Sequence, residues 1–345
     1  MSQRPAASPG PALDFTGLVG LDAIRAAAER LRGIAVRTPL VAFPAARGTS
    51  PAILLKAESL QPIGAFKIRG AYNAIATLEA DAWNRGVVTH SSGNHAQGVA
   101  RAARLLGVRA VVVMPSDAPA IKRARVEADG AEIVTVGTGS GEREAMAAKL
   151  AAERGLVLVP PYDDDRIIAG QGTVGLEIVE DVPDLTAVLV PIGGGGLASG
   201  VAAAVKALRP DVRVIGVEPE FAADAQASLL SGHIVRWDAA LVSRTIADGT
   251  RSQAIGVRNF EHLSRLLDDI VTVSEAEIAA AVRLVAEESR LVAEPSGALA
   301  PAAARFRAAA AGIARRSGTV VAIVSGGNVD PERYRELLAS PIPGA

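Results

Sequence analysis

Short apolar, β-branched runs alternate with stretches of helical periodicity along most of this chain. The runs begin with Ile53-Leu54-Leu55, Gly86-Val87-Val88-Thr89 and Ala110-Val111-Val112-Val113. They continue with Glu132-Ile133-Val134-Thr135-Val136, Val157-Leu158-Val159, Ala187-Val188-Leu189-Val190, Val212-Arg213-Val214-Ile215-Gly216-Val217, Ile270-Val271-Thr272-Val273 and Val320-Val321-Ala322-Ile323-Val324. Several are apolar at every position instead of every second one, as strands buried on both faces of a parallel sheet are. Between them the spacing of apolar residues predicts helices over 94–106, 118–128, 141–154, 167–180, 197–208 and 275–290. A further helix is predicted over 17–33, with Asp22, Arg25, Glu29 and Arg32 on its polar face. The alternation predicts an α/β fold with helices on both sides of a parallel sheet. Residues 81–160 form a block of strand–helix units, read as a small domain set into a larger, discontinuous one made of 14–80 and 161–345. Residues 1–13, rich in Pro, Ala and Ser with no long apolar core, read as a disordered leader.

Composition narrows the partners. The hydrophobic fraction of 49% over 345 residues fills a substantial core. Lys and Arg (36) nearly cancel Asp and Glu (37), so no basic surface is advertised for nucleic acid or an anionic membrane, and a small-molecule partner fits better. With no cysteine there is no disulfide, no cysteine–zinc site and no thiol nucleophile. No apolar run approaches membrane-spanning length. A soluble, cytoplasmic protein is expected.

Four stretches carry candidate chemistry. In Gly64-Ala65-Phe66-Lys67-Ile68-Arg69-Gly70 a lysine sits among glycines and apolar residues. An exposed ammonium, with a pKa of about 10.4, is a poor nucleophile, whereas a desolvated lysine sheds its proton and can form a Schiff base. Taken alone, the heptapeptide fits a surface lysine beside a turn better, and only the rest of the chain reverses that. Pro191-Ile192-Gly193-Gly194-Gly195-Gly196-Leu197 follows a buried strand and opens a helix, so successive backbone amides can converge on an anion; the alternative is a tight strand-to-helix turn. Neither a Gly-Lys-Ser/Thr ending nor the third dinucleotide glycine is present, Ala198 standing in its place, so a nucleotide is not favoured. His90-Ser91-Ser92-Gly93-Asn94-His95 is a donor-rich junction that suits a carboxylate or a phenolic oxygen, or else an ordinary helix cap by Ser91 or Ser92. Val324-Ser325-Gly326-Gly327-Asn328 ends the last strand in the same way. Glycine-polar junctions at strand C-termini are what a ligand crevice in an open parallel sheet requires.

With Lys67, the Ser-Gly-Asn-His junction, the tetraglycine loop and the closing Ser-Gly-Gly-Asn in this order, the chain resembles the fold-type II pyridoxal-phosphate enzymes, in the serine/threonine dehydratase and serine racemase branch. The resemblance spans residues 18–330 or so and includes Arg37-Thr38-Pro39-Leu40, Ala169-Gly170-Gln171-Gly172-Thr173, Thr245-Ile246-Ala247-Asp248-Gly249 and Glu294-Pro295-Ser296-Gly297. It implies two open parallel-sheet lobes with pyridoxal 5'-phosphate between them. It further implies that Lys67 forms the Schiff base, Phe66 stacks on one face of the ring with Gly249 opposite, Asn94 bonds the phenolic oxygen, Gly193, Gly194, Gly195 and Gly196 hold the phosphate, and Ser325 meets the ring nitrogen. A hydroxyl there leaves that nitrogen largely neutral, which favours expelling a β-substituent over transamination.

The activity implied is ammonia-lyase: a small hydroxy amino acid, its carboxylate held by Ser91, Gly93, Asn94 and His95, loses its α-proton to the freed Lys67 amine. The β-hydroxyl then departs, and hydrolysis gives a 2-oxo acid and ammonia. Serine racemase is the alternative. For it Ser92 would be the second acid/base, and Glu218, Ala222 and Asp224 match the Mg²⁺ or Ca²⁺ site of racemase-like members, with hard oxygen ligands. A 3-hydroxyaspartate dehydratase would need an extra cation for the second carboxylate, which the sequence does not identify. A catalytically silent cofactor-binding protein is the non-enzyme alternative. A homodimer is the family expectation, and Pro62, in place of a polar or basic residue, argues against nucleotide activation.

Overall fold

Alternate residues of the apolar runs face opposite ways, and the computed structural model shows what each face meets. The structure describes residues 14–343 apart from 46–47, 92, 119 and 138–139; the side chains of residues 121 and 140 are also outside it. The leader expected over 1–13 and Ser92 therefore lie outside the described residues. The strands are β1 (Leu40–Phe43), β2 (Ala52–Ala57), β3 (Val87–His90), β4 (Ala110–Pro115), β5 (Glu132–Val136), β6 (Val157–Leu158), β7 (Leu185–Pro191), β8 (Arg213–Pro219), β9 (Asp269–Val273) and β10 (Thr319–Val324). One sheet has the order β1-β2-β10-β7-β8-β9 and the other β5-β4-β3-β6. Every pairing is parallel except the antiparallel edge β1–β2.

The continuously apolar runs are explained by two cores, one on each face of the larger sheet. Val320, Ala322 and Val324 of β10 join Leu189 and Ile215 in one core. Val321 and Ile323 join Val188, Val190 and Val214 in the other. Because the side-chain period along a strand is two, a strand covered on both faces must be apolar at successive positions.

The helices Asp165–Asp181 and Gly196–Leu208 pack at close quarters on one side of this sheet. A Cβ on Gly200 would overlap the Ile168 carbonyl, so the contact depends on glycine. The expected helix over 17–33 is shorter, Leu21–Arg30, with Gly20 at its N-terminus and a left-handed Gly33 (φ 74°) beyond its end. Lys67 is not beside a turn only. It is the first residue of a helix, Lys67–Ala76. The mid-helix Gly70 masks that helix in the sequence, yet a Cβ there would overlap the Gln171 side-chain amide. Among the described residues no helix is long and apolar enough to cross a membrane.

Candidate active site

The residues leading into Lys67 pair with the end of β10. The Phe66 amide donates to the Ser325 carbonyl at 3.0 Å, Ala65 bridges Gly326, and the Gly327 amide donates to the Gly64 carbonyl at 2.9 Å. Gly64 is left-handed (φ 74°), and a Cβ there would overlap Asn328. Backbone pairing thus brings the lysine to the closing Ser-Gly-Gly-Asn junction. Lys67 Nζ donates to the Pro161 carbonyl at 2.6 Å and lies 5.2 Å from the Phe66 ring centroid. Burial pushes its amine down from the ordinary 10.5 to about 8, as desolvation disfavours the ammonium.

The tetraglycine loop joins β7 to the helix Gly196–Leu208, with Gly195 left-handed at φ 97°. Among the described residues none of the amides of Gly193 to Gly196 has a hydrogen-bond partner, although the Ser199 amide bonds the Gly195 carbonyl at 2.8 Å. A Cβ on Gly194 would overlap the Tyr162 ring, and one on Gly193 would press on the Gly249 carbonyl and Thr250 Cα. Unpaired amides at a helix N-terminus, with no side chain in the way, fit a phosphate.

The third junction opens the helix Asn94–Leu106. Its N-cap is Gly93, and no side chain caps it. Ser91 Oγ instead accepts from the Gly93 amide at 3.2 Å, inside the loop. His95 is buried with Nε2 3.1 Å from the Val159 carbonyl, so the proton belongs on Nε2, while Nδ1 has no partner among the described residues. Burial, then the Lys67 charge, push the imidazole down to about 3. It is a neutral acceptor at Nδ1. Asn94 Nδ2 donates to Glu294 Oε1, and its Oδ1 accepts from Asn328 Nδ2 at 2.8 Å, which fixes which way the amide faces. Ser296 ties two further parts together: its Oγ accepts from the Gly249 amide at 2.8 Å, and its carbonyl accepts from Ser325 Oγ at 3.4 Å.

Phe66, Lys67, Ser91, Gly93, Asn94, His95, Gly193 to Gly196, Gly249 and Ser325 all line one cavity of about 260 Å³. Every described residue expected to touch the cofactor or the substrate carboxylate is therefore in one place. The cavity also holds residues the sequence did not single out: Lys122, Tyr162, Asp248 and Glu294. Lys122 Nζ bonds Asp248 Oδ2 at 2.9 Å. Burial, with the Asp248 charge, pushes the Glu294 carboxyl up to about 7. Asp248 and Glu294 lie in Thr-Ile-Ala-Asp-Gly and Glu-Pro-Ser-Gly, motifs already noticed without a role. Lys122, on an ordinary amphipathic helix, had no local signal.

Glu218, at the end of β8, accepts from the amides of Ala225 at 3.0 Å and Gln226 at 2.8 Å. Both Asp224 oxygens are buried with no well-formed hydrogen bond among the described residues, although the Ile255 amide is near enough to favour the charge. Burial and the Asp224 charge push Glu218 up, and burial pushes Asp224 up to about 7. With Ala222 buried between them in the chain, these are two desolvated carboxylates short of positive partners. That donor set fits a hard cation. No group of three or more His, Asp or Glu side chains able to hold a metal is present among the described residues.

Comparison with known proteins agrees with this geometry. The family described as pyridoxal-phosphate dependent enzymes matches residues 31–326. An L-threo-3-hydroxyaspartate ammonia-lyase of Saccharomyces cerevisiae is 42% identical over 287 residues, covering 83% of this chain and 86% of that protein. A crystal structure of T.th. threonine deaminase is 44% identical with a TM-score of 0.81, covering 90% of this chain and 99% of that one. Maize serine racemase superposes with a TM-score of 0.85 at 37% identity, covering 92% and 96% of the two chains. A half-buried lysine, an unpaired tetraglycine cradle and this likeness along nearly the whole length place the chain in the pyridoxal-phosphate dependent enzyme family, in its fold-type II serine/threonine dehydratase and serine racemase branch.

Proposed function

We propose that the protein is an ammonia-lyase that converts a β-hydroxy amino acid, threonine or serine in the simplest case, to a 2-oxo acid and ammonia by α,β-elimination. The observation that carries this reading is the half-buried Lys67, whose amine desolvation brings to about 8 in the same cavity as the Ser325 hydroxyl. Pyridoxal 5'-phosphate, when bound, supplies a carbonyl that takes up an amine and a conjugated ring that accepts electron density from Cα. Lys67 attaches the cofactor. With the cofactor in place its Nζ would take the α-proton, which an amine brought down to about 8 does better near neutral pH than an ordinary lysine. Gly193 to Gly196 offer their amides to the phosphate, and the fixed Asn94 amide offers its second N–H to the ring oxygen. Ser91, Gly93, Asn94 and His95 would hold the substrate carboxylate at a helix N-terminus, His95 through its main-chain amide, since its imidazole proton faces the Val159 carbonyl. Ser325, which lines the cavity, would meet the ring nitrogen, and a hydroxyl there would keep electron withdrawal moderate and favour loss of the β-hydroxyl.

Serine racemase is the second reading, since relatives carry that name and the Glu218–Asp224 pair suits a divalent cation such as Mg²⁺ or Ca²⁺. It rests on Ser92 as the acid/base opposite Lys67. We also assign strands β3 to β6 to a small domain over 81–160, the protein to a homodimer, and its place to the cytoplasm. Cofactor-loaded protein should release 2-oxobutanoate or pyruvate with equimolar ammonia from L-threonine or L-serine. No release from either amino acid or its stereoisomers would sink the lyase reading, and D-serine formed from L-serine would establish the racemase. A monomer in light scattering at working concentration would refute the dimer.

A further inference from the structure

Two glycines where the Lys67 segment meets β10 leave room for linked side-chain amides. A Cβ on Gly64 would overlap Asn328 Oδ1, and one on Gly326 would overlap Glu294 Oε1 and press on Asn94 Nδ2. Asn328 is buried, and its amide is fully engaged. Its Nδ2 donates to the Ile63 carbonyl and to Asn94 Oδ1, at 2.8 Å each, and its Oδ1 accepts from Arg125 Nη1.

An asparagine amide can sit either way round, and its neighbours decide which. The Ile63 carbonyl donates nothing, so it must meet nitrogen, and the Arg125 guanidinium accepts nothing, so it must meet oxygen. Both set Asn328 the same way. Asn94 then follows: the atom that meets Asn328 Nδ2 is its oxygen, and its nitrogen faces Glu294. Glu294 does not choose this direction. Burial and the Asp248 charge bring its carboxyl to about 7, where it can offer a proton as readily as a lone pair. Neither Asn328 nor Arg125 lines the cavity that holds Lys67. They border a second one, of about 270 Å³, together with Gln97, Arg101 and Asp129, and so they reach the first only through Asn94.

We propose that Asn328, held by Arg125, is a positioning residue for the cofactor: it turns the Asn94 amide so that an N–H, and not a carbonyl oxygen, faces the ring oxygen. This rests on the reading of Asn94 as the ring-oxygen donor and does not depend on which amino acid is consumed. In the reverse orientation a lone pair of Asn94 would oppose an electron-rich oxygen, and a hydrogen bond would become a repulsion.

The test is Asn328→Asp, which keeps the shape of the side chain and removes its donor. A carboxylate still suits Arg125, but it repels the Ile63 carbonyl and Asn94 Oδ1, so the Asn94 amide should turn round. The dissociation constant for pyridoxal 5'-phosphate, from fluorescence titration of cofactor-free protein, should rise by about tenfold or more, the worth of one hydrogen bond to a charged oxygen. In the loaded protein the long-wavelength absorbance band, from the form with a charged ring oxygen, should lose intensity to the short-wavelength band of the neutral form. Both changes should vanish when Asn328→Asp is made in Asn94→Ala, because the amide that it turns is gone. Arg125→Ala should move both readouts in the same direction by a smaller factor, and Arg125→Lys should recover part of each. Circular dichroism and the urea midpoint check folding, and Asn328→Ala, which removes the donor without adding charge, takes the place of Asn328→Asp should that variant not fold. Wild-type values of both readouts in the Asn328 variant, with Asn94→Ala altered, would overturn the proposal. Equal losses with and without the Asn94 side chain would also overturn it and leave Asn328 as a structural link between Ile63 and Arg125. If Asn94→Ala itself changes neither readout, the reading of Asn94 fails and takes the proposal with it. Turnover enters none of these measurements, so the lyase reading stands or falls apart from them.

Discussion

Lys67 Nζ donates to the main-chain carbonyl of Pro161 at 2.6 Å, tying the first residue of a helix to the segment that follows β6, 94 positions later. The bond holds the amine inside the cavity, where desolvation brings its pKa to about 8. Below pH 8 the amine is mostly protonated and cannot attack a carbonyl. The rate of cofactor attachment to cofactor-free protein should therefore rise about tenfold per pH unit up to 8 and level off above it. Stopped-flow absorbance checks this, and a plateau only near pH 10 would mean that the amine is solvated.

The same shift has a consequence for stability. Below pH 8 the lysine is protonated in both folded and unfolded chains, so the cofactor-free fold carries the full cost of burying the charge, about 3 kcal/mol for a fall from 10.5 to about 8. Between pH 8 and 10.5 the unfolded chain binds the extra proton, and stability rises. Lys67→Met should be the more stable protein at pH 7, with the gap closing by pH 10.5 in urea unfolding. A gap that does not change with pH would contradict the burial.

Arg69, two residues after Lys67, anchors the lysine helix through a buried charge cluster. Its Nε and Nη2 bond the two Glu58 oxygens at 2.8 Å each, and Nη1 bonds Glu177 at 2.6 Å. Thr38 Oγ1 also donates to Glu58, and Lys56 pairs with Glu177 at 2.6 Å. Burial alone would raise the Glu58 pKa, but the Arg69 charge and hydrogen bonds outweigh it and hold the carboxyl below its ordinary range. Its contribution is thus full at neutral pH and is lost as pH falls through that lowered value. Glu58→Ala should cost about 3 to 5 kcal/mol at pH 7, since it strands a buried guanidinium. A loss under about 1 kcal/mol in urea unfolding would show that the cluster is not closed to water.

At the Glu218–Asp224 pair, Mg²⁺ or Ca²⁺ should raise the midpoint of thermal unfolding, and EDTA should reverse the rise. In Glu218→Gln/Asp224→Asn the response should vanish. A midpoint that is flat with both cations would remove the metal from the proposal.

The cofactor cradle should be intolerant of a single methyl group. Gly194→Ala places a Cβ within the Tyr162 ring, so either the loop or Tyr162 must shift. The dissociation constant for pyridoxal 5'-phosphate, followed by fluorescence titration of the cofactor-free protein, should rise by tenfold or more, on the order of 1.4 kcal/mol. An unchanged constant would mean that the Gly194 amide does not face the phosphate.

The sequence by itself determined the features that are periodic or contiguous. Successive apolar positions marked β7, β8 and β10 because those strands are covered on both faces. The helix Asn94–Leu106 was legible to its ends, and each glycine-polar junction was read at its correct place after a strand. Other features only the tertiary structure decided. The lysine helix was hidden by Gly70, whose cost in propensity is outweighed by close packing on Gln171. Lys122, Asp248 and Glu294 meet in one cavity from three distant parts of the chain, and none carries a local mark of that meeting. The pKa of Lys67 and the orientation of Asn94 belong to this second group too. The physical reason is that hydrophobic periodicity is written into neighbouring residues, whereas desolvation and charge pairing depend on what the rest of the chain folds around them.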